Sequence, residues 1–280
     1  MLGATGMLGN AILRLLSQSD QLEVHGSARS AGLPVRFPQK LGGRVITGVD
    51  VENPDALMRL FSTVRPDVVI NCVGLVKQLA EAKDPLAALP INSILPHRLA
   101  RFCELAGARL IHFSTDCVFS GSRGMYQESD PADAKDLYGR SKYLGEVAYS
   151  NCLTLRTSII GHELNSARSL IGWFLSQSGR VKGFSKAVFS GLPTVEVAKV
   201  LRDFVIPKPD LSGLYHLSAE PISKFDLLSL VAEIYAKEIE IQPDDSFVID
   251  RSLNSERFRK ATGYTPSSWR TMIETMRDFG

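Results

Sequence analysis

The chain has 280 residues, 44% of them hydrophobic and 22% charged, and a formal net charge of +2. Such a composition describes a soluble globular protein of one to two domains, and the near-balanced charge excludes a nucleic-acid or membrane-surface partner held by electrostatics. No apolar run approaches the ~18 residues of a membrane span and no basic-then-apolar leader opens the chain. Cytoplasmic residence is therefore expected, with reduced thiols at Cys72, Cys103, Cys117 and Cys152, whose spacing suits neither a metal site nor a disulfide framework.

Gly3-Ala-Thr-Gly6-Met-Leu-Gly9 opens the chain and runs into a helical pattern over 10–17. Glycines at this spacing allow a tight turn, close approach of a pyrophosphate and close helix–sheet packing. Gly3, Thr5, Gly6, Met7 and Leu8 are the expected cofactor contacts of that turn. Only Met1 and Leu2 precede it, which leaves little chain for the central strand, and further apolar residues upstream of Met1 are expected in the functional chain.

Apolar runs over 22–28, 45–49, 67–73, 109–114 and 152–158 read as strands. Helical periodicity over 54–63, 89–106 and 135–149 separates the later ones, so the pattern predicts βαβ units. The fold class is α/β, a Rossmann-type doubly wound parallel sheet with a smaller C-terminal lobe. In such a sheet Arg29, after the second strand, suits a ribose 2′-phosphate by charge and fork geometry, which favours NADP(H) over NAD(H). Asp50 and Val51, after the third strand, are placed for the adenine, and Val73 and Gly74 for close approach of the backbone to the cofactor. After about Gly161 the rhythm changes. Helices are expected over 195–205, 224–235 and 268–276, and a returning strand over 213–217. Residues 1–160 are thus assigned to the nucleotide-binding domain and 161–280 mainly to a substrate lobe, interleaved at about 190–217.

The chemistry is carried by Tyr138-Gly-Arg-Ser-Lys142 with Ser114-Thr115-Asp116 upstream. Residues four apart share a helix face, so the Tyr138 phenol and Lys142 ammonium can occupy one pocket, where the cation is expected to lower the phenol's pKa. A Thr115 hydroxyl beside them points to carbonyl/alcohol redox chemistry rather than hydrolysis.

Together these residues resemble the extended short-chain dehydrogenase/reductase family, and within it the dTDP-4-dehydrorhamnose reductase branch. The likeness rests on Ser114-Thr-Asp-Cys-Val-Phe-Ser-Gly121, Tyr138-Gly-Arg-Ser-Lys142 with Gly145-Glu146, Leu155-Arg-Thr-Ser158, Gly191-Leu-Pro-Thr194, and Asn92 with Pro96. It implies reduction of a 4-keto group on a nucleotide-linked 6-deoxysugar, in surface polysaccharide precursor synthesis. Tyr138 would protonate the C4 oxygen, Lys142 would hold the cofactor ribose, and Thr115 would bond the carbonyl oxygen. Asp116, Cys117 and Ile159 fall where that family meets its sugar. Cys117 stands where the branch has Tyr, and Ile159 where it has Trp, so these positions bear on sugar identity. The related dehydratases need an acid after the aspartate; Cys117 disfavours that activity.

Arg168, Arg180, Lys182 and Lys186 are candidate diphosphate ligands, one or two of them at most. His162 and His216 read as packing or surface residues. Two alternatives remain: a non-catalytic regulatory subunit that binds NAD(P), and a nucleotide-sugar epimerase with the same Thr/Tyr/Lys set. Pairing through 89–106 and 135–149 into a homodimer is plausible by the same resemblance.

Overall fold

A computed structural model describes residues 1–280 except Gln78 and Asn165. The first half runs α1 (Met7–Leu16), β1 (Gly26–Ser27), β2 (Val45–Ile46), α2 (Pro54–Val64), β3 (Val68–Asn71), α3 (Pro85–Ala88), α4 (Leu95–Ala106), β4 (Arg109–Thr115), α5 (Leu137–Leu144) and β5 (Cys152–Thr157). The second half runs β6 (Ile159–Ile160), α6 (Leu170–Ser176), β7 (Arg180–Phe184), β8 (Ala187–Phe189), β9 (Leu192–Pro193), α7 (Thr194–Val200), β10 (Gly213–His216), β11 (Ile222–Ser223), α8 (Lys224–Ile234), β12 (Glu240–Asp244), β13 (Ile249–Asp250), α9 (Glu256–Thr262) and α10 (Trp269–Phe279).

The main sheet is parallel throughout, in the order β2, β1, Leu2, β3, β4, β5, β10. Leu2 stands where the first strand is expected. Its N–H donates to the Ile70 carbonyl at 2.9 Å, and its carbonyl accepts the Cys72 N–H at 3.2 Å. Ser27 N–H donates to the Met1 carbonyl at 3.0 Å on the other side. A bridging dipeptide thus satisfies ladder groups of both neighbours, where a buried strand edge would leave them orphaned.

Successive β4 side chains face opposite layers, as a pleat requires. Leu110 packs with Leu57, Leu95 and Leu99 from α2 and α4. Ile111 and Phe113 join Ile12 and Leu13 of α1 and Val197, Leu227 and Ile273 of α7, α8 and α10. Both faces are covered, the doubly wound arrangement the alternation predicts. In the C-terminal half β8 pairs with β11 and β13, β7 with β12, and β6 with β9.

Several predicted elements are shorter or broken. The 22–28 strand contracts to two residues, and the 135–149 helix to eight, ended by Gly145. The predicted 89–106 helix is a π-helical turn over Leu89–Ile94 leading into α4. A second π turn, Leu201–Val205, completes the predicted 195–205 helix after α7. Such turns widen the ladder locally and re-aim side chains, which apolar periodicity does not reveal. β12, β13 and α9 had no periodic signature.

Candidate active site

In a parallel sheet all strand C-termini share one edge, and Gly3, Val73 and Thr115 lie at or just after strand ends along it. Gly3 enters the turn with φ +82, a left-handed conformation that favours glycine. A methyl group at Gly9 would overlap the Gly3 carbonyl oxygen, so this glycine lets α1 start directly behind the turn. Gly6 caps α1 without any side-chain acceptor. The first-turn N–H groups near Met7 and Leu8 are thereby left for an anion, and the residues present fit a dinucleotide pyrophosphate. Arg29 and Asp50 are exposed at the ends of their strands, with Val51 buried beside them. After β3, a Cβ at Gly74 would lie 3.8 Å from Lys142 Nζ and 3.4 Å from Asn92 Oδ1. The Val73-Gly74 backbone therefore runs along the Lys142 ammonium.

α5 is set by Asp136, whose carboxylate accepts the Gly139 N–H at 2.8 Å and pairs with Lys77 at 2.6 Å. A methyl at Gly139 would overlap the Cys117 carbonyl, so glycine lets α5 lie against the turn after β4. That contact brings Tyr138 to Thr115. Lys142, 6% exposed, points down from the next turn and donates to the Phe113 carbonyl at 2.7 Å. Burial lowers its pKa to about 8, against the opposing charge of Glu146. Behind it Asn92 accepts the Leu75 N–H at 2.9 Å and donates to Ser141 Oγ at 3.2 Å, joining the π turn to α5.

The expected action of Lys142 on Tyr138 needs correction. The ammonium is tethered to β4, and burial, followed by the neighbouring Cys117, drives the Tyr138 pKa well above the ordinary phenol value although its ring keeps partial exposure. Desolvation of the phenolate outweighs any attraction from a lysine committed elsewhere.

Thr115 ends β4 and caps the short 3₁₀ turn Asp116–Val118. Its hydroxyl donates to Asp116 Oδ1 at 3.0 Å and accepts the Cys117 N–H at 3.1 Å. The same hydroxyl favours the Tyr138 phenolate, an effect smaller than that of burial. Asp116 is buried, and desolvation raises its pKa against the pull of Thr115, Arg251 and Lys224. Burial likewise lifts the Cys117 thiol to about 12, leaving it neutral at physiological pH. Ile159, at the start of β6, is partly buried.

Sequence reasoning missed Arg251 and Lys224. Arg251 donates to the Phe119 carbonyl at 2.8 Å and reaches Cys117 Sγ at 3.7 Å. Lys224, at the start of α8, is largely desolvated, which lowers its pKa while Asp116 and Cys117 pull it upward. Both come from chain segments more than 100 residues from Cys117, so no local motif could flag them. Three predicted diphosphate ligands form ion pairs through exposed side chains: Arg180 with Glu240 at 2.9 Å, Lys182 with Asp244 at 2.9 Å and Lys186 with Asp245 at 3.3 Å. The parallel pairing of β7 with β12 sets Arg180 opposite Glu240. Arg168 is exposed.

Beneath the site, Arg156 binds both Glu146 oxygens at 2.7 Å, and Ser114 Oγ donates to the same carboxylate at 2.7 Å. Arg156 also lies 3.2 Å from His216 Nε2, whose other ring nitrogen bonds the Tyr126 carbonyl at 2.9 Å. His216 is a packing residue on β10, its pKa driven down to about 3 by burial and then by Arg156. His162 bonds the Tyr235 hydroxyl at 2.8 Å.

Fold and site together define an NAD(P)-dependent oxidoreductase of the extended short-chain dehydrogenase/reductase class. Residues 1–278 match the family described as the RmlD substrate binding domain, and the chain belongs to that family. A dTDP-4-dehydrorhamnose reductase of Escherichia coli is 27% identical over 256 residues, covering 81% of this chain and 84% of that one. A probable low-salt glycan biosynthesis reductase of Haloferax volcanii is 30% identical over 176 residues, 61% of this chain and 56% of that protein, so the matched region spans little more than half of this relative. The methionine adenosyltransferase 2 subunit beta of Rattus norvegicus is 26% identical over 254 residues, 83% of this chain and 70% of that one. Among solved structures, dTDP-4-dehydrorhamnose reductase of Bacillus anthracis in complex with NADP superposes with a TM-score of 0.79 at 21% identity, covering 99% and 97% of the two chains. Among the described residues no helix is long and apolar enough to cross a membrane.

Proposed function

We propose that the chain is an NADPH-dependent reductase of a 4-keto group on a nucleotide-linked sugar. The observation that supports this most is the convergence of Thr115, Tyr138 and Lys142 beside the glycine turn. When bound, NADPH would supply the hydride for the ketone. Tyr138 supplies the proton to the resulting alcohol oxygen. Its phenol is protonated at neutral pH, with burial raising its pKa further, and this is the form a proton donor needs. Lys142 would hold the ribose edge of the cofactor and Arg29 its 2′-phosphate. Arg251 and Lys224, facing Cys117 from the C-terminal half, are the cations we assign to the diphosphate of the sugar nucleotide. Cys117 and Ile159 then bound the sugar itself, and the neutral thiol offers no acid for dehydration. In this division residues 1–160 carry the cofactor and the later chain most of the sugar nucleotide. A homodimer through α4 and α5 fits the same reading; Ile94 and Leu144 on that side are 51% and 57% exposed.

The likeness to a methionine adenosyltransferase subunit favours one second reading, cofactor binding in service of a partner enzyme. Oxidation of NADPH, followed against a panel of nucleotide 4-keto sugars, separates the two. Turnover abolished by Tyr138→Phe supports the reductase. Tight NADPH binding with no turnover on any sugar supports the subunit.

A further inference from the structure

Two buried side chains on neighbouring strands face each other behind the C-terminal end of β3. Asn71, the last residue of β3, is 1% exposed, and His112, its register partner on β4, is fully buried. A backbone N–H can only donate, so the Val73 N–H, 3.1 Å from Asn71 Oδ1, fixes which way the amide faces. Asn71 Nδ2 then donates to His112 Nδ1 at 3.1 Å, and the proton of the neutral ring must sit on Nε2. That Nε2–H has no hydrogen-bond partner among the described residues. We propose that His112 is a positioning residue: by accepting from Asn71 it holds that amide in the one orientation that binds the Val73 N–H, and so sets the Val73-Gly74 backbone against the cofactor. The inference rests on the reading that Val73 and Gly74 meet the cofactor, and deepens it by naming what holds them there.

An apolar side chain of similar size at position 112 would avoid burying an unpartnered N–H, so packing alone does not call for histidine. What histidine supplies is one acceptor for the Asn71 amide. Burial, and then the charges of Lys142 and His97, hold the pKa of the ring well below the ordinary imidazole range, which keeps it in the accepting form. The stretch beyond Gly74 is held from the other side. Asn92 Oδ1 accepts the Leu75 N–H at 2.9 Å, and its Nδ2 donates to Ser141 Oγ at 3.2 Å. Val73-Gly74-Leu75 thus hangs between two buried amides, each oriented by a further side chain, with Gly74 passing Lys142. Free to turn, Asn71 would present Nδ2 to the Val73 N–H and leave that donor without an acceptor. The loop would then be ordered only when the cofactor binds, at a cost in affinity.

The test needs no substrate. His112→Leu removes the acceptor and exchanges one unpartnered N–H for another, so urea unfolding should give near wild-type stability. Amide exchange at Val73 in cofactor-free protein should quicken about tenfold, and the NADPH Kd by fluorescence titration should rise about tenfold, the worth of one buried donor left unpaired. His112→Asn places an oxygen near the position of Nδ1 and should bring both values back towards wild type. Equal losses from asparagine and leucine would assign the effect to the shape of the ring and overturn the proposal. In an Asn71→Ala background His112→Leu should change neither value further, because the residue through which it acts is gone; an additive loss there also overturns it. Should leucine fail to fold, the wild type decides. Imidazole nitrogen NMR should show Nδ1 bare and Nε2 protonated across neutral pH, and a proton on Nδ1 sinks the proposal. The two readings fail separately. Quickened exchange with unchanged NADPH affinity removes the cofactor placement alone, whereas unchanged exchange in a protein that binds NADPH removes the role of His112 alone.

Discussion

Lys142 Nζ donates to the carbonyl of Phe113 at 2.7 Å, which ties the catalytic-type helix to the strand that ends in Thr115. The bond fixes the spacing of a buried ammonium and a phenol one helical turn apart. Burying that ammonium costs stability, since the charge lies out of water.

Lys142→Met tests that cost. With its folded-state pKa lowered to about 8 from 10.5, the lysine binds fewer protons folded than unfolded between those values, so its penalty is complete below pH 8 and fades as pH rises to 10.5. At full charge it amounts to about 3 kcal/mol. The expected result is a higher Tm at pH 7 than wild type, a gain that shrinks towards pH 10, and loss of NADPH oxidation. A lower Tm at pH 7 would show that the bond to Phe113 outweighs desolvation.

Gly139→Ala places a methyl group on the Cys117 carbonyl. Either α5 or the turn after β4 must move, at about 1–3 kcal/mol. Urea unfolding should show that loss, and Tyr138 should fall out of register with Thr115, with a larger fall in kcat than rise in KM.

Glu146→Ala leaves Arg156, 2% exposed, without its carboxylate. An uncompensated buried charge costs about 3–5 kcal/mol. Chemical denaturation should register this, while Arg180→Ala, which breaks an exposed pair, should change stability by less than about 1 kcal/mol.

Arg251→Leu and Lys224→Met should each raise KM for the sugar nucleotide about tenfold or more, the worth of a charge-assisted hydrogen bond, with NADPH affinity unchanged by fluorescence titration. Lys182→Met and Lys186→Met should leave both constants near wild type. Equal effects from the two sets would refute the assignment.

Arg29→Ala should weaken NADPH about tenfold and leave NADH unaltered, since it removes one charge-assisted contact to a group that only NADPH carries. Isothermal titration with both cofactors measures the ratio. A parallel loss for NADH would place Arg29 on a part shared by both.

By itself, the sequence determined the parallel α/β architecture, the glycine turn and the Thr115, Tyr138, Lys142 set, because each is local: a period, a turn chemistry, a four-residue spacing. Leu2 bridges both neighbours where the first strand is expected. Tertiary structure alone decided what depends on meetings of distant segments. The pairing of β7 with β12 set Arg180 opposite Glu240, while packing of the C-terminal half against the turn after β4 brought Arg251 to Cys117. Desolvation, a property of the assembled fold, sent the pKa of Tyr138 upward where local spacing to Lys142 predicted a fall.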